Sequence, residues 1–292
     1  MRKTIASITI LIMFLVSCST STNETVKNVA KNEKYELDIQ FKVEEFNLTF
    51  HVKNNIKITN EQLDKFKEEI EAAVLFLGEH FPERIKYDTY YVYLERGREI
   101  SYVYENYIYY YRYLEGRAPI LHELTHAMLG SSKGTSFFTI EGLAVYFQNQ
   151  YEEFEFPSMD TSIHQVAGYF VNNNKYIPLN ILMDEQLVDN FGGKYSDELL
   201  RWMGYIEAGS FTEYLIEEYG LEMYMKIYDQ PELNSKIEEV YKKPLSQLEK
   251  EWLNYLQKNS TKGEPKLFSE PYDYFIELNE QLLNSNILEL IK

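Results

Sequence analysis

The chain has 292 residues, of which 29 are Lys or Arg and 46 are Asp or Glu, for a formal charge of −17 at pH 7. So acidic a balance leaves no basic footprint for nucleic acid or anionic lipid, and it excludes both as partners recognised through charge. A single cysteine excludes a disulfide framework, so a packed core must hold the fold; the length suits one large domain or two closely packed subdomains.

The N-terminus opens with Arg2 and Lys3, runs through an apolar stretch from Ile8 to Val16 and stops at Leu15-Val16-Ser17-Cys18. Charged, apolar and small residues in that order make a secretory signal over residues 1–17, too short for a membrane-spanning helix of roughly 20 residues. Leu-Val-Ser-Cys resembles the lipobox of bacterial lipoproteins, in which the cysteine is diacylated and becomes the mature N-terminus. The resemblance makes Cys18 the lipid anchor and places the chain outside the cytoplasmic membrane. Cleavage would remove two basic residues and no acidic one, so contact with the membrane would come from the acyl chains rather than from charge. Residues 18–34, polar and without an apolar period, read as a lipidated flexible tether.

Residues 35–116 read as an N-terminal α/β subdomain with a small sheet. Phe46 to Val52 alternates apolar with polar as a one-sided strand does. Thr59-Asn60-Glu61-Gln62 has the form of a capping box, and Leu63, Phe66, Ile70, Ala73 and Leu77 follow at helical spacing. Two Tyr-rich runs, Tyr87 to Leu94 and Tyr102 to Tyr113, read as strands separated by the turn-like Glu95-Arg96-Gly97-Arg98. Tyrosine, 26 in all, suits half-buried strands because the ring packs while the hydroxyl stays wet.

From Pro119 the pattern turns helical, with Pro119 tolerated in a first turn and Gly130 placed to end the helix. Residues 117–258 read as a helical subdomain and residues 259–292 as a helical extension. The stretch from Tyr151 to Tyr195, interrupted by prolines, glycines and an Asn run, reads as loop with short helices at most. Helices are expected over Asp197 to Tyr219, Leu221 to Tyr228 and Leu245 to Leu256, with a last amphipathic stretch after Glu270. The fold class is therefore α+β, mixed sheet first and helices afterwards.

His122-Glu123-Leu124-Thr125-His126 puts two imidazoles four residues apart, which on a helix leaves them one turn apart on one face, able to grip one ion. Glu123 projects about 100° away from His122 and can address a water on that ion without being a ligand. Apolar Ile120, Leu121, Leu124, Ala127, Met128 and Leu129 surround the motif, so the helix is largely buried, where two histidines and a carboxylate are costly without a purpose. A catalytic zinc needs a third protein ligand and an open position. Glu141, in Thr139-Ile140-Glu141-Gly142-Leu143-Ala144-Val145-Tyr146-Phe147 near the start of the next apolar helix, is the candidate for that ligand. His51, His80 and His164 have no neighbouring ligand pattern and read as surface or core residues.

His-Glu-x-x-His followed by Glu-Gly-x-Ala-x-Tyr-Phe resembles the gluzincin metallopeptidases, in particular the peptidase-MA-like group related to the aminopeptidase-N and thermolysin catalytic domains. The resemblance implies a zincin-like catalytic domain with zinc as cofactor, held by His122, His126 and Glu141. It extends to Tyr205-Ile206-Glu207-Ala208-Gly209-Ser210-Phe211, which looks like the family's tyrosine-bearing helix and implies that Tyr205 donates a hydrogen bond to the oxyanion. Lys243 to Leu256 resembles the family's closing helix. Thermolysin carries an Asp one turn after its third ligand as partner for a ligating histidine; this chain has Val145 there, which leaves the groups that orient His122 and His126 unassigned.

The expected activity is hydrolysis of peptide bonds in a peptide or protein substrate, with Glu123 as general base and no covalent intermediate. In related folds an edge strand beside the metal helix aligns the substrate backbone, and Tyr102 to Tyr113 lies in the sequence position of that strand. The rival reading is a catalytically weak or inactive zincin-scaffold lipoprotein that binds a partner at the cell surface; an intact Glu123 argues against it.

Overall fold

The computed structural model describes residues 35–130, 137–152, 156, 161–192, 196–268 and 273–292. The secretory segment, Cys18 and the tether fall outside them. The chain enters through β1 (Asp38–Val43), passes a single 3-10 turn and returns antiparallel as β2 (Leu48–Asn54). The strand expected from Phe46 thus begins two residues later, because Phe46 and Asn47 are spent on the turn, Asn47 with a φ of 55°. β1 itself was not anticipated, although Ile39, Phe41 and Val43 alternate toward the core.

The capping box forms as expected: Thr59 Oγ1 accepts from the Gln62 N–H at 3.3 Å and Gln62 Oε1 accepts from the Thr59 N–H at 2.9 Å. Behind it, α1 (Asn60–His80) buries Leu63, Phe66, Ile70, Ala73 and Leu77 against the sheet. Each of the Leu, Ile and Phe side chains contributes roughly 1.5–3 kcal/mol of hydrophobic stabilisation. α1 is the crossover that lets β3 (Thr89–Glu95) lie parallel to β2.

The second Tyr-rich run is two strands rather than one. β4 (Tyr102–Tyr104) and β5 (Tyr107–Tyr111) form an antiparallel hairpin around Glu105-Asn106, with Glu105 at a φ of 57°. β5 also pairs parallel with β3, giving a five-stranded mixed sheet in the order β1-β2-β3-β5-β4 with β4 at its edge. Phe50, Tyr90, Val92, Ile108 and Tyr110 point into the core. On the opposite face the aromatics stack from strand to strand: His51 on Tyr91 at 5.3 Å, Tyr91 on Tyr107 at 5.0 Å, Tyr93 on Tyr109 at 4.8 Å and Tyr109 on Tyr102 at 4.6 Å. Half-packed strands are what the tyrosines serve.

Helices follow: α2 (Ile120–Leu129), ended by Gly130 at a φ of 76°, then α3 (Phe137–Tyr151) and α4 (Ile163–Asn172). α4 lies within the stretch expected to be mostly loop. It is nearly three turns long, starts at a Ser162 cap and is buried along most of its length. After the short α5 (Leu179–Leu182), α6 (Glu198–Tyr219) starts from an Asp197 side chain that accepts from the N–H groups of Leu199 and Leu200. The helix expected over Leu221 to Tyr228 is a single turn, α7 (Leu221–Tyr224), followed by turns. Then come α8 (Leu233–Tyr241), α9 (Leu245–Asn259), α10 (Asp273–Asn284) and α11 (Ile287–Leu290).

The architecture is α+β, and Lys34–Lys292 cluster as one compact unit with a continuous hydrophobic core. Among the described residues no helix is long and apolar enough to cross a membrane.

Candidate metal centre

α2 is held at its first turn from two sides. The Tyr110 hydroxyl donates to the Ile120 carbonyl at 3.0 Å, and the Glu152 carboxylate accepts from the Leu121 N–H, one of the donors that the helix itself cannot pair. Between these supports His122 and Glu123 are buried and His126 is partly so. The two imidazoles sit one turn apart with ring centroids 4.8 Å from each other.

α3 carries Glu141 to them, and its approach depends on small residues. A Cβ on Gly142 would stand 2.8 Å from the Ala208 carbonyl oxygen and 2.2 Å from Thr212 Oγ1, both on α6. A Cβ on Gly209 of α6 would stand 2.5 Å from Val145 Cγ1 on α3. One glycine on each helix therefore lets the two backbones close together, and Val145 serves that contact. The start of α3 is tied down by the Tyr224 hydroxyl, which donates to the Thr139 carbonyl at 3.1 Å, and by the Asp229 N–H, which donates to Thr139 Oγ1 at 3.1 Å.

Glu141 Oε2 then lies 3.3 Å from His122 Nε2 and 3.3 Å from His126 Nε2. The ligand atoms of the three residues are all within 4.8 Å of one another. Donors about 2.1 Å from a tetrahedral ion stand roughly 3.4 Å apart, so this is the spacing of a coordination sphere. Glu141 Oε2 is also buried and has no hydrogen-bond partner among the described residues. A carboxylate oxygen left so is costly unless a cation faces it, and the three side chains fit a divalent metal ion.

Charge in the site is strongly sorted. Burial works to raise the Glu141 carboxyl, but His126 and His122 beside it outweigh that and hold it well below the ordinary carboxylate range. Burial opposes the His126 imidazolium, yet Glu141 wins and raises it. Glu123 is pushed up by burial, which the two histidines only partly offset. Tyr205, near the start of α6, has its ring parallel to that of His122 at 6.4 Å and edge-on to Phe137 at 5.3 Å. Burial, with the charges of Glu141 and Glu123, pushes its hydroxyl well above the usual phenol range, so it stays neutral.

The five residues singled out by sequence, His122, Glu123, His126, Glu141 and Tyr205, thus meet in one place, while Cys18 lies outside the described residues. The other histidines stay apart. His51 stacks on the outer sheet face, His80 ends α1, and His164 is buried with Nδ1 2.9 Å from Ser210 Oγ. His122 Nδ1 is buried and has no hydrogen-bond partner among the described residues. Two neighbours of the site were not anticipated: Glu152, which holds the α2 terminus, and Arg201, one turn before Tyr205, whose charge works against the rise of the Tyr205 pKa. Helical spacing alone could have suggested Arg201. Nothing local marks Glu152, 31 residues from Leu121. No protein-family model, curated protein or solved structure matches the chain.

Proposed function

We propose that the chain is a zinc-dependent metallopeptidase on a zincin-like scaffold, of the gluzincin type, held outside the cytoplasmic membrane by a lipid on Cys18. The observation that carries this reading is the convergence of His122 Nε2, His126 Nε2 and Glu141 Oε2 at coordination spacing, with no other partner for Glu141 Oε2 among the described residues. Two imidazoles and one carboxylate are a donor set that catalytic zinc uses, leaving a position open. When bound there, zinc supplies a Lewis acid that polarises the scissile carbonyl and acidifies water.

The chain's own residues do the rest. Glu123, adjacent to His122 and raised by burial, takes the proton of the attacking water and passes it to the leaving amine. Tyr205, kept neutral by burial, donates a hydrogen bond to the oxyanion. β4 is one of the two edge strands of the sheet and, like β5, touches α2, so an extended substrate has a backbone edge to pair with beside the site.

Metal analysis of the purified chain joined to a peptide-library digest, with and without chelator, tests the reading. One zinc per chain and cleavage abolished by chelation are expected. A chain that binds zinc and cleaves nothing would favour a zincin-scaffold binding protein, and one that retains no metal would end both readings.

A further inference from the structure

Arg201, Tyr205, Ala208 and Thr212 follow one another on α6 at intervals of four, three and four residues, so they form a single stripe along the helix. The inner three face α3 and the metal centre. Ala208 and Thr212 lie against Gly142 of α3, and Tyr205 sets its ring parallel to that of His122 and edge-on to Phe137 at the start of α3. Arg201 is the outer end of the same stripe, one turn and roughly 6 Å along the axis from Tyr205.

The guanidinium there is unspent. Arg201 is partly buried, yet its side chain has no hydrogen bond and no ion pair among the described residues, Glu198 three positions before it included. Its charge works against the rise of the Tyr205 pKa on one side and of the Tyr274 pKa, on α10, on the other. Arg112, whose charge also reaches Tyr274, is by contrast engaged, with Nε 3.1 Å from Glu115 Oε2. In a chain with a formal charge of −17, an arginine beside two phenols and without a carboxylate is short of an anion.

The planar fork of an arginine matches a carboxylate through two parallel hydrogen bonds. A basic residue of a substrate would meet like charge there, and an apolar one would leave the fork unpaired. An extended peptide advances about 3.3–3.6 Å per residue, so with its scissile carbonyl at Tyr205 a group that meets Arg201 stands one or two residues away.

We propose that Arg201 is a specificity-determining residue, which binds a carboxylate of the peptide one or two residues from the bond to be cut. The proposal rests on the peptidase reading of the site. An acidic side chain and the C-terminus of a short peptide share this chemistry, and Arg201 holds either away from the reacting atoms.

Calorimetric titrations of the full chain in chelator, with nothing hydrolysed and no metal to draw the carboxylate, test the binding. The ligands are acetyl-tetraalanine as free acid and as amide, and a pentapeptide blocked at both ends with a central glutamate or glutamine. At least one acid is expected to bind about ten- to a hundredfold more tightly than its neutral match, the scale of a charged hydrogen bond. The pair that shows the preference gives the source of the carboxylate. Arg201→Gln, which orphans no partner, is expected to bring the acid down to its neutral match and leave that match unchanged. Arg201→Lys, which keeps the charge without the fork, should keep part of the preference. Acid and neutral match alike in the wild type, a preference that survives Arg201→Gln, or an equal loss for both ligands would overturn the proposal. Digestion of the peptide library with zinc separates it from the peptidase reading. An Arg201-dependent preference in a chain that cuts nothing sinks that reading alone, and cleavage by a chain without the preference sinks this proposal alone.

Discussion

Glu123, buried, and Glu141, partly buried, share one site, and their surroundings drive them in opposite directions. Two imidazoles hold Glu141 down as an anion, and burial lifts Glu123. Carboxyls pushed apart in this way take different roles, which under the proposed function are those of ligand and base. Glu141→Gln should therefore lose the metal, read by mass spectrometry after dialysis, and wild-type metal content would remove Glu141 from the ligand set. Glu123→Gln should keep the metal and lose roughly 10² to 10⁴ in hydrolytic rate, because an amide matches the carboxylate in size but cannot take the proton. Tyr205→Phe should lose about 10² to 10³, the worth of one oxyanion donor. A Glu123→Gln protein with the wild-type rate would refute the mechanism. These residues were legible in the sequence because the histidine spacing is local and helical and Glu141 opens the next apolar helix. The carboxylate of Glu152 was not, since only the fold brings it to Leu121.

Between elements the decisive contact is α3 on α6. It rests on Gly142 and Gly209, and the neighbour that a Cβ on Gly142 would strike includes backbone, the Ala208 carbonyl at 2.8 Å, which cannot swing aside. Gly142→Ala should thus push α3 off α6, costing about 1–3 kcal/mol of stability as overpacking does, and should weaken metal retention because Glu141 is the adjacent residue. Unchanged urea midpoint and metal content would show that the helices can part without cost. The sequence shows this glycine but not its reason, which lies on a helix more than 60 residues away. The same limit explains the other elements. α1 was legible from its capping box and its apolar spacing, both local signals. The β4–β5 hairpin looked like one strand because tyrosines continue across it and only Glu105-Asn106 interrupts them. α4 was hidden between prolines and an Asn run, although its buried face, with Val166, Ala167 and Phe170, is what seats it in the core. α7 stops after a turn where the Tyr224 and Tyr228 hydroxyls reach the carbonyls of Thr139 and Gly130.

For the molecule as a whole, two properties depend on no single element: where it is held and over what pH it stays folded. If Cys18 bears the anchor, Cys18→Ser should abolish fatty-acid labelling and free the chain from membranes; a variant that still carries label and pellets would refute the anchor. His164 is one group that sets the pH limit. Burial holds its imidazole at about 4, against 6.5 for an unhindered one, with Nδ1 on Ser210 Oγ and the ring edge-on to Tyr255. Glu213 Oε1, 3.7 Å from Nε2, favours the imidazolium but does not overcome burial. Between those two values the unfolded chain takes up a proton that the native chain refuses, so native stability is complete above about pH 6.5 and falls as pH drops toward 4, by at most about 3 kcal/mol. Glu152 acts with the opposite sign, because a carboxyl raised to about 8 favours the native state as pH falls. If His122 and His126 hold a metal, its loss in acid would add a further sensitivity. A difference between two proteins cancels both. His164→Asn keeps a polar group for Ser210 and removes the titration, so its stability, from urea unfolding at pH 7, 6, 5 and 4, should fall less steeply than that of the wild type over this range. The two curves should part below about pH 6.5, and parallel curves would mean that His164 is protonated in the folded chain, with Glu213 as its counter-ion.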